Sequence, residues 1–434
     1  MNPNEIIRKK RDQEELSKEE IEFFISEYSN GNIPDYQASS LLMAIYLNGM
    51  SQSEIAFLTG AMIKSGKTMD LSSIEGIKVD KHSTGGIGDK MSMVLLPLVA
   101  ACGVPVAKMA GRGLGYTQGT IDKLESILGF KTSLSINEFI QNVKAINLSI
   151  MSQQEDIAKA DKLLYALRDV TSTVESIPLI ASSVMSKKIA SGADKILLEV
   201  TCGSGAFIDD LDRAKMLSQI MVNIGKQYGK ETVAIITNMD QPLGRFCGNS
   251  LEVMETIDTL NGKGEEDVVS LCTMFGAYML KLAGVGDNLA NNMRLIKSKI
   301  DNKEGLIKFR ELLLRQGGNT YCIDHPEVLN KAKYKIPVKT PRSGYVHEIN
   351  SKNIGMAVVN MGGGRQKKDD SIDHNVGIEI LKKIGDHVEA DDILMFIYCN
   401  DEELGRKQVK FLQDSYYIGY EEVPKIEAIL DIID

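Results

Sequence analysis

Apolar residues recur at helical spacing through the first part of the chain. Two such stripes are visible, consisting of Ile21, Phe24, Ile25 and Tyr28 and of Ile55, Leu58, Met62 and Ile63. Ahead of each stripe a serine stands three residues before a glutamate, at Ser17 with Glu20 and at Ser51 with Glu54. This spacing predicts a capping box, in which serine and glutamate satisfy the free amides of a helix start. We therefore predict an α-helical domain over residues 1–67.

The hydrophobic pattern changes from Ile77 onward. Short β-branched or apolar runs predict strands at Ile77–Val79, Val104–Lys108, Ile196–Val200 and Val233–Thr237. Helical segments alternate with these strands, which is typical of a mostly parallel sheet flanked by helices. We predict that residues 70–155 and 194–334 form this α/β domain.

Two helices separate the second and third predicted strands. They are expected at Asp161–Asp169 and Ser176–Ser191, and their apolar positions suit packing on other helices rather than on a sheet edge. We expect residues 160–193 to return to the N-terminal helical domain, so that both domains are discontinuous in sequence.

The pattern of the last hundred residues predicts short strands and turns. Pro337, Pro341 and Gly344 open this segment, and a Gly-Asp-His-Val turn precedes a strand predicted at Ile393–Tyr398. The arrangement is similar to carrier hammerheads that present a modified lysine, but no lysine stands at an apolar-flanked hairpin tip. We therefore favour a structural α+β domain over residues 335–434. The predicted fold is α/β with a separate all-α domain and this C-terminal α+β domain.

Composition restricts the partners of the chain. A net charge of -9 and a pI near 5.3 argue against binding nucleic acid or an anionic membrane over the whole surface. The N-terminal residues are polar, and the longest apolar run, 93–106, is too short to span a bilayer, so we expect a cytoplasmic protein. The cysteines lack metal-ligand spacing, which favours reduced thiols.

The strongest chemical signal is the segment 79–90, with the sequence VDKHSTGGIGDK, between a predicted strand and the helix Met91–Ala101. Its three glycines let the backbone amides approach a ligand, and the helix start adds partial positive charge. Lys81 supplies a full charge, and Ser83 and Ser92 supply hydroxyl donors. The spacing fits neither a P-loop nor a dinucleotide fingerprint, so we predict a site for a small anion such as phosphate.

A second strand-to-helix junction, residues 108–120, repeats this logic. It contains four glycines and ends at the start of a helix predicted over Ile121–Leu128. Because the ends of neighbouring parallel strands point the same way, the two loops could hold one phosphate from two sides. We expect Lys108 and Thr120 to make the contacts.

Together these segments resemble the pyrimidine-nucleoside phosphorylase and thymidine phosphorylase family. The likeness rests on residues 81–86 (KHSTGG), 111–115 (GRGLG) and 119–125 (GTIDKLE) and extends over nearly the whole chain. It implies a homodimer that cleaves pyrimidine nucleosides with inorganic phosphate as co-substrate and no organic cofactor. Its helical and α/β domains would close over a cleft. The implied phosphate-binding residues are Lys81, His82, Ser83, Ser92, Lys108, Met109, Ala110 and Thr120.

The resemblance also implies a base-binding pocket. Arg168 lies in the segment 165–169 (YALRD), and Ser183 and Lys187 lie four residues apart in 183–188 (SVMSKK), on one helix face. Arg168 and Lys187 would stabilise negative charge on the departing base, and His82 would donate a proton to the base or orient it. For all of these residues an ordinary surface or structural role is the competing interpretation.

Several positions depart from the family pattern. Ala110, Tyr116 and Gln118 stand where the family usually has serine, histidine and glycine, and Thr201 stands where it often has lysine. Tyr116 and Gln118 are expected to add bulk near the sugar or base. A monovalent cation, K⁺, is held in some relatives at positions that correspond here to Gly88, Leu243, Phe246 and Glu255. Lys90 lies near these positions, so its ammonium group could take the place of the ion. The sequence leaves both possibilities open. The competing interpretation is that Glu255 belongs to an ordinary acidic helix face.

Three alternatives remain beside a pyrimidine-nucleoside phosphorylase that accepts uridine, thymidine and deoxyuridine. The first is a phosphorylase restricted to thymidine. The second is a phosphoribosyltransferase of the same architecture, although the acidic residues of a magnesium and pyrophosphate site are not found. The third is a non-catalytic paralogue, which the changes at Ala110, Tyr116 and Gln118 motivate.

Overall fold

The computed structural model describes residues 1–113, 115–154, 156–367 and 370–434. Its helices are α1 (Pro3–Arg11), α2 (Lys18–Ser29), α3 (Asp35–Asn48), α4 (Gln52–Lys64), α5 (Met91–Ala101), α6 (Thr120–Leu124), α7 (Ile136–Ile146), α8 (Lys159–Val170), α9 (Ile177–Ala190), α10 (Leu211–Gln227), α11 (Asn249–Asp258), α12 (Glu266–Leu282), α13 (Leu289–Asp301), α14 (Glu304–Arg315), α15 (Tyr321–Asp324), α16 (Ser351–Asn360) and α17 (Glu402–Gln413). Its strands are β1 (Val79–Ser83), β2 (Val106–Ala110), β3 (Leu148–Ser152), β4 (Lys195–Cys202), β5 (Thr232–Asn238), β6 (Phe246–Cys247), β7 (Tyr334–Lys339), β8 (Gly344–Ile349), β9 (Gly377–Ile380), β10 (His387–Val388), β11 (Ile393–Cys399), β12 (Tyr416–Gly419) and β13 (Ile429–Ile433).

The N-terminal helices pack around an apolar core of their own. The predicted capping boxes are confirmed at the starts of α2 and α4, where Ser17 and Ser51 each accept from the glutamate amide three residues on. Helix α8 packs against α2, α3 and α4, and α9 packs against both α4 and α10. A buried ion pair, Lys10 with Glu54 at 2.9 Å, ties α1 to α4. Helix α9 therefore connects the helical layer to the α/β layer.

The central sheet has the strand order β1-β4-β5-β13, in which the first three strands are parallel and β13 is antiparallel. The two central strands, β4 and β5, are buried on both faces, as expected where helices cover a parallel sheet. The predicted fold class is confirmed. Strand β1 begins and ends later than predicted, since it covers Val79–Ser83 and leaves out residues 77–78. Its polar residues, whose side chains suggested a loop, pair with Lys195–Glu199 of β4.

The strand that carries Lys108 differs from the prediction in its pairing. β2 pairs in parallel with β3, which the sequence did not reveal, and forms a separate two-stranded sheet. β1 and β2 are instead joined by a side chain, because Lys108 Nζ donates to the backbone carbonyl of Lys81. The two loop ends still lie side by side, but not as neighbours in one hydrogen-bonded sheet.

The C-terminal part is built from two antiparallel sheets, of strand order β10-β8-β12 and β6-β9-β11-β7, with α16 and α17. The predicted boundary at residues 335–434 differs from the structure at two points. β6, at 246–247, joins the C-terminal sheet, and β13, near the chain end, pairs with β5 of the central sheet. The apolar residues of β13 cover an edge of that sheet that would otherwise be exposed. None of the described helices combines the length and apolar character needed to cross a membrane.

Candidate active site

The first glycine loop links β1 to α5 and is held in one conformation by local hydrogen bonds. Gly85 and Gly88 have φ of +96° and +74°, values that L side chains rarely adopt. The Gly85 amide donates to Ser83 Oγ at 3.1 Å. Ser92 is buried in the first turn of α5. The predicted residues Ser83 and Ser92 thus lie at the two ends of a loop that leads into a helix N-terminus, where backbone amides favour an anion.

Thr201 on β4 fastens this loop to the central sheet. Its hydroxyl donates to Gly85 O at 2.7 Å and lies 2.9 Å from Thr84 Oγ1, which in turn accepts from the Thr201 amide at 3.0 Å. A lysine at this position could not make the same short contacts. Compared with the lysine that the family often has here, Thr201 therefore lacks a positive charge but holds the loop backbone by short hydrogen bonds.

Lys81 is fully buried in an ion pair. Its Nζ lies 2.5 Å from Glu199 Oε2 and 3.9 Å from Asp89 Oδ1. Burial alone would lower the pKa of Lys81, but Asp89 and Glu199 outweigh it and leave the pKa raised. Lys81 is thus charged and already paired, so a direct contact between Lys81 and phosphate remains a prediction.

Two ammonium groups share one carboxylate beside the loop. Lys108 and Lys188 lie 3.3 and 2.7 Å from the two oxygens of Asp80, and all three side chains are buried. Burial and the neighbouring lysines lower the pKa of Lys108 to about 7, despite the opposing effect of Asp80. The cluster therefore carries an excess of positive charge, which a bound anion would stabilise.

Phosphate binding is therefore expected to take up a proton at alkaline pH. At about pH 8.5 Lys108 is mostly neutral in the free protein, because its pKa is near 7, whereas a bound dianion favours the charged form. Titration calorimetry in buffers of different ionisation enthalpy should show uptake approaching one proton, and phosphate affinity should fall as the pH rises above about 7. The Lys108→Gln variant should lose this uptake, and equal uptake in both proteins would refute the assignment.

His82 lies among these cations. Burial lowers its pKa well below the ordinary range, and the charges of Lys188, Lys108, Lys187 and Lys81 lower it further. The imidazole of the free protein is therefore neutral near neutral pH. The neutral ring can donate one N–H hydrogen bond to a ligand. It carries no extra proton to give to the base unless a dianion that binds nearby favours the imidazolium form.

The second glycine loop folds back on itself before α6. A Cβ on Gly119 would overlap the backbone of Arg112 and Gly113, so this close approach requires glycine. Asp122 accepts from the Gly113 amide at 2.6 Å and from Arg112 at 3.0 Å, and Arg365 of the C-terminal part reaches the same carboxylate at 2.9 Å. Leu114, within this motif, lies outside the described residues.

The predicted phosphate contacts of this second loop lie at its two ends. Met109 and Ala110 end β2, and Thr120 begins α6. The carbonyl of Met109 accepts from Lys188 at 3.4 Å, which connects β2 to the charge cluster around Asp80. Ala110 has no side-chain donor for a ligand, and its carbonyl already accepts from the Gln153 amide at 3.2 Å.

Arg168 is positioned by backbone carbonyls of the α8–α9 connection. Its guanidinium is buried and donates to the carbonyls of Thr173, Leu179 and Val174 at 3.1, 3.2 and 2.5 Å. Three of its five N–H groups are used in this way. Burial lowers the pKa of Arg168, but a guanidinium stays charged in any case. The group is held rigidly, with donors left for a carbonyl oxygen of a ligand.

Lys187 and Ser183 lie on one face of α9, next to Arg168. Lys187 Nζ donates to Ser183 Oγ at 3.1 Å and pairs with Asp161 Oδ2 at 2.7 Å. The Tyr165 ring lies between the two cations, 5.4 Å from Lys187 Nζ and 5.5 Å from the Arg168 guanidinium carbon. Lys187 keeps part of its side chain exposed, so it can reach a ligand in the cleft.

Asp161 is expected to position Lys187. It is buried, and its Oδ1 has no hydrogen-bond partner among the described residues. In Asp161→Asn we expect kcat to fall by about ten- to 100-fold, because Lys187 loses its orientation, while KM for phosphate changes little. Steady-state kinetics test this, with Asp169→Asn as the control, since Asp169 is exposed on the same helix. Equal rates for both variants would contradict a positioning role.

The residues expected to hold a cation also come together. Lys90 lies 2.5 Å from Leu243 O and 2.8 Å from Glu255 Oε2, and Gly88 packs against the carbonyls of Leu243 and Phe246. The ammonium therefore lies inside this group of oxygens.

Comparison with known proteins agrees with this arrangement. Family profiles match residues 4–66 as a glycosyl transferase family helical bundle domain, 75–305 as a glycosyl transferase family α/β domain, and 345–419 as a pyrimidine nucleoside phosphorylase C-terminal domain. The chain is 54% identical over 400 residues to a pyrimidine-nucleoside phosphorylase of Staphylococcus haemolyticus, covering 92% of each chain. The chain belongs to the pyrimidine-nucleoside phosphorylase family.

Other relatives place this phosphorylase family member in the same group. A pyrimidine-nucleoside phosphorylase of Geobacillus stearothermophilus is 50% identical over 410 residues, which is 94% of this chain and 95% of the relative. Among solved structures, an anthranilate phosphoribosyltransferase of Thermus thermophilus matches with a TM-score of 0.60, over 72% of this chain and 99% of that one. At 16% identity this second likeness concerns the fold alone.

The departures from the pyrimidine-nucleoside phosphorylase pattern at Tyr116 and Gln118 have a packing role. Tyr116 donates its hydroxyl to Ala206 O at 2.9 Å, and its ring lies 5.5 Å from that of Phe207. Burial raises the pKa of Tyr116 to about 12. Gln118 is buried and donates weakly to Tyr116 O at 3.4 Å. Tyr116 thus contacts the segment after β4 and packs with apolar residues of the C-terminal part. That Tyr116 and Gln118 add bulk beside the sugar or base stays a prediction.

Five charged residues among those described around the site were not assigned from the sequence. They are Asp80, Asp89, Asp161, Lys188 and Glu199, and each is the ion-pair partner of a predicted residue or of its neighbour. Asp80 and Lys188 stand next to Lys81 and Lys187 in the quoted motifs, so adjacency was a signal for them. Glu199 gave none, because a lone acid in an apolar strand shows its partner only in three dimensions.

Proposed function

We propose that this chain catalyses the phosphorolysis of pyrimidine nucleosides, namely uridine, thymidine and deoxyuridine, to the free base and the pentose 1-phosphate. The observation that carries the proposal is a group of cations that runs from the glycine loops to α9. Lys108 and Lys188 share the carboxylate of Asp80. Lys188 adjoins Lys187 on α9, and Lys187 lies next to Arg168. An anion and a base that becomes anionic are the ligands that such a cleft favours.

The reaction follows from this arrangement of charge. An oxygen of inorganic phosphate attacks C1′ of the sugar while the C1′–N1 bond breaks, and the electron pair of that bond goes to the base. Arg168 and Lys187 stabilise the negative charge that develops on the base, and Ser183 binds its polar edge. Neutral His82 donates a hydrogen bond to the departing base, which takes its proton from the site or from solvent.

The two halves of the site lie on different structural units, so we propose that they close over the substrates. The glycine loops belong to the α/β core, whereas α8 and α9 pack against the N-terminal helices. The ion pair of Lys188 on α9 with Asp80 on β1 connects the two units beside the cleft. Closure would exclude water and so favour transfer to phosphate over hydrolysis.

We also propose a cytoplasmic homodimer whose partners are small molecules. Helix α3 exposes large apolar side chains that a second copy of the chain could cover, at Tyr36, Met43, Tyr46 and Leu47. Light scattering of the purified protein tests the dimer.

The activity is tested by incubating the purified protein with uridine, deoxyuridine or thymidine, with and without phosphate. Release of base from all three only when phosphate is present supports the proposal. Release from thymidine alone would indicate a restricted enzyme, and cleavage that ignores phosphate, or no turnover of any nucleoside, would overturn it.

A further inference from the structure

A buried ammonium occupies a cage of oxygen atoms behind the first glycine loop. Lys90 precedes α5, and its side chain is completely buried. Its Nζ donates to Leu243 O at 2.5 Å and pairs with Glu255 Oε2 at 2.8 Å. Burial would lower the pKa of Lys90, but Glu255 and Glu252 outweigh this and raise it, so the ammonium is charged.

The oxygens around Lys90 are those of a site for a monovalent cation. Glu255 accepts from the amides of Arg245 and Phe246 at 2.7 and 2.9 Å, which fixes its carboxylate. A Cβ on Gly88 would lie 2.5 Å from Leu243 O and 3.3 Å from Phe246 O, so these carbonyls face the same small volume. Carbonyl and carboxylate oxygens are ligands of hard cations.

The family resemblance implies K⁺ at these oxygens, but the residues present do not fit an ion. A Cβ on Gly244 would lie only 2.7 Å from Lys90 Nζ and would also contact Glu255 Oε1, so the space beside the carboxylate is filled by the ammonium. A second positive charge in this buried volume would be repelled by Lys90. Glu255 supplies the carboxylate that pairs with that charge directly.

We propose that Lys90 is a built-in replacement for the cation, so that this chain needs no monovalent metal. An ammonium group has the charge of K⁺ and nearly its size. It makes the same type of contacts with carbonyl and carboxylate oxygens. The ammonium is part of Lys90, at the end of the glycine loop. It therefore links this loop to the segment 243–247 and to α11, whichever salt is present. The inference does not depend on the proposed reaction, since it concerns how the fold is held.

The wild-type protein provides the first test. Its thermal unfolding is measured in KCl and in choline chloride of equal ionic strength, with turnover recorded alongside. We expect equal midpoints and turnover that differs by less than about twofold, because the cage is filled. A midpoint that rises specifically and saturably with K⁺ would overturn the inference, since anything that binds the folded state alone stabilises it.

The second test removes the ammonium. In Lys90→Thr the oxygen atoms of the cage lose the ammonium that they surround. The thermal unfolding midpoint of this variant in choline chloride should therefore fall by several degrees below that of the wild type. KCl should restore part of this loss in a saturable way, while LiCl should not. A control variant, Lys131→Thr, changes an exposed lysine outside the cage and should respond to neither salt. If Lys90→Thr matches the wild type in choline chloride and ignores K⁺, the ammonium does not hold this site together. The wild-type measurement decides the question if the variant does not fold.

Discussion

Replacement of Lys187 by methionine is expected to lower kcat by about 10²- to 10³-fold, the range found when one donor to a developing charge is removed. Lys187 lies partly exposed on α9 beside Arg168, and methionine leaves no charge in its place to stabilise the departing base. The proposed phosphate contacts are on the glycine loops rather than on α9, so phosphate affinity should be nearly unchanged. Steady-state kinetics with uridine and calorimetry with phosphate measure the two quantities separately.

The matched control for this variant is Lys159→Met, because Lys159 is an exposed lysine at the start of the neighbouring helix α8. It should keep wild-type kinetics. The assignment would be refuted if Lys187→Met kept its kcat, or if it lost phosphate affinity and turnover in equal measure. The second result would place Lys187 on the phosphate rather than on the base.

Replacement of Lys81 by methionine should affect both stability and phosphate binding. The variant leaves Glu199 buried without its cation, and breaking a buried pair in this way costs about 3–5 kcal/mol of unfolding free energy. Phosphate affinity should fall by at least about tenfold, which corresponds to 1.4 kcal/mol, because a positive charge beneath the loop is lost. Denaturant unfolding and phosphate calorimetry measure the two effects.

A double variant separates the structural role of Lys81 from its role toward phosphate. In Lys81→Met with Glu199→Gln the uncompensated carboxylate is gone, so most of the stability should return. Phosphate affinity should stay low, since the ammonium is still missing. Recovery of wild-type phosphate affinity in the double variant would mean that Lys81 serves only as the partner of Glu199, and the predicted contact would be wrong.

The sequence was most informative where local chemistry decides local structure. Capping boxes place the starts of α2 and α4 correctly, because serine and glutamate act on amides within one turn. The glycine loops were found for a similar reason, since their backbone needs conformations that only glycine adopts readily. The family motifs then indicated Arg168 and Lys187 as the proposed base-binding residues, which periodicity alone would have left as surface cations.

Features that depend on distant partners could not be predicted. Nothing near Lys81 indicates Glu199, which lies 118 residues further along the chain. The return of β13 to the edge of the central sheet depends on β5, and the pairing of β2 with β3 depends on a strand that the sequence pattern did not reveal. The surroundings of Lys90 could not be predicted from its own segment either, because Leu243 and Glu255 reach it only in the folded chain.

The central claim is that the cleft transfers a pentose from a pyrimidine to inorganic phosphate. The most direct test uses phosphate labelled with ¹⁸O at all four oxygens and uridine in unlabelled water, with the sugar product followed by ³¹P NMR and mass spectrometry. The account predicts a ribose 1-phosphate that keeps every labelled oxygen, formed together with an equal amount of uracil. Free ribose in place of the phosphate ester, or uracil released without phosphate, would contradict it.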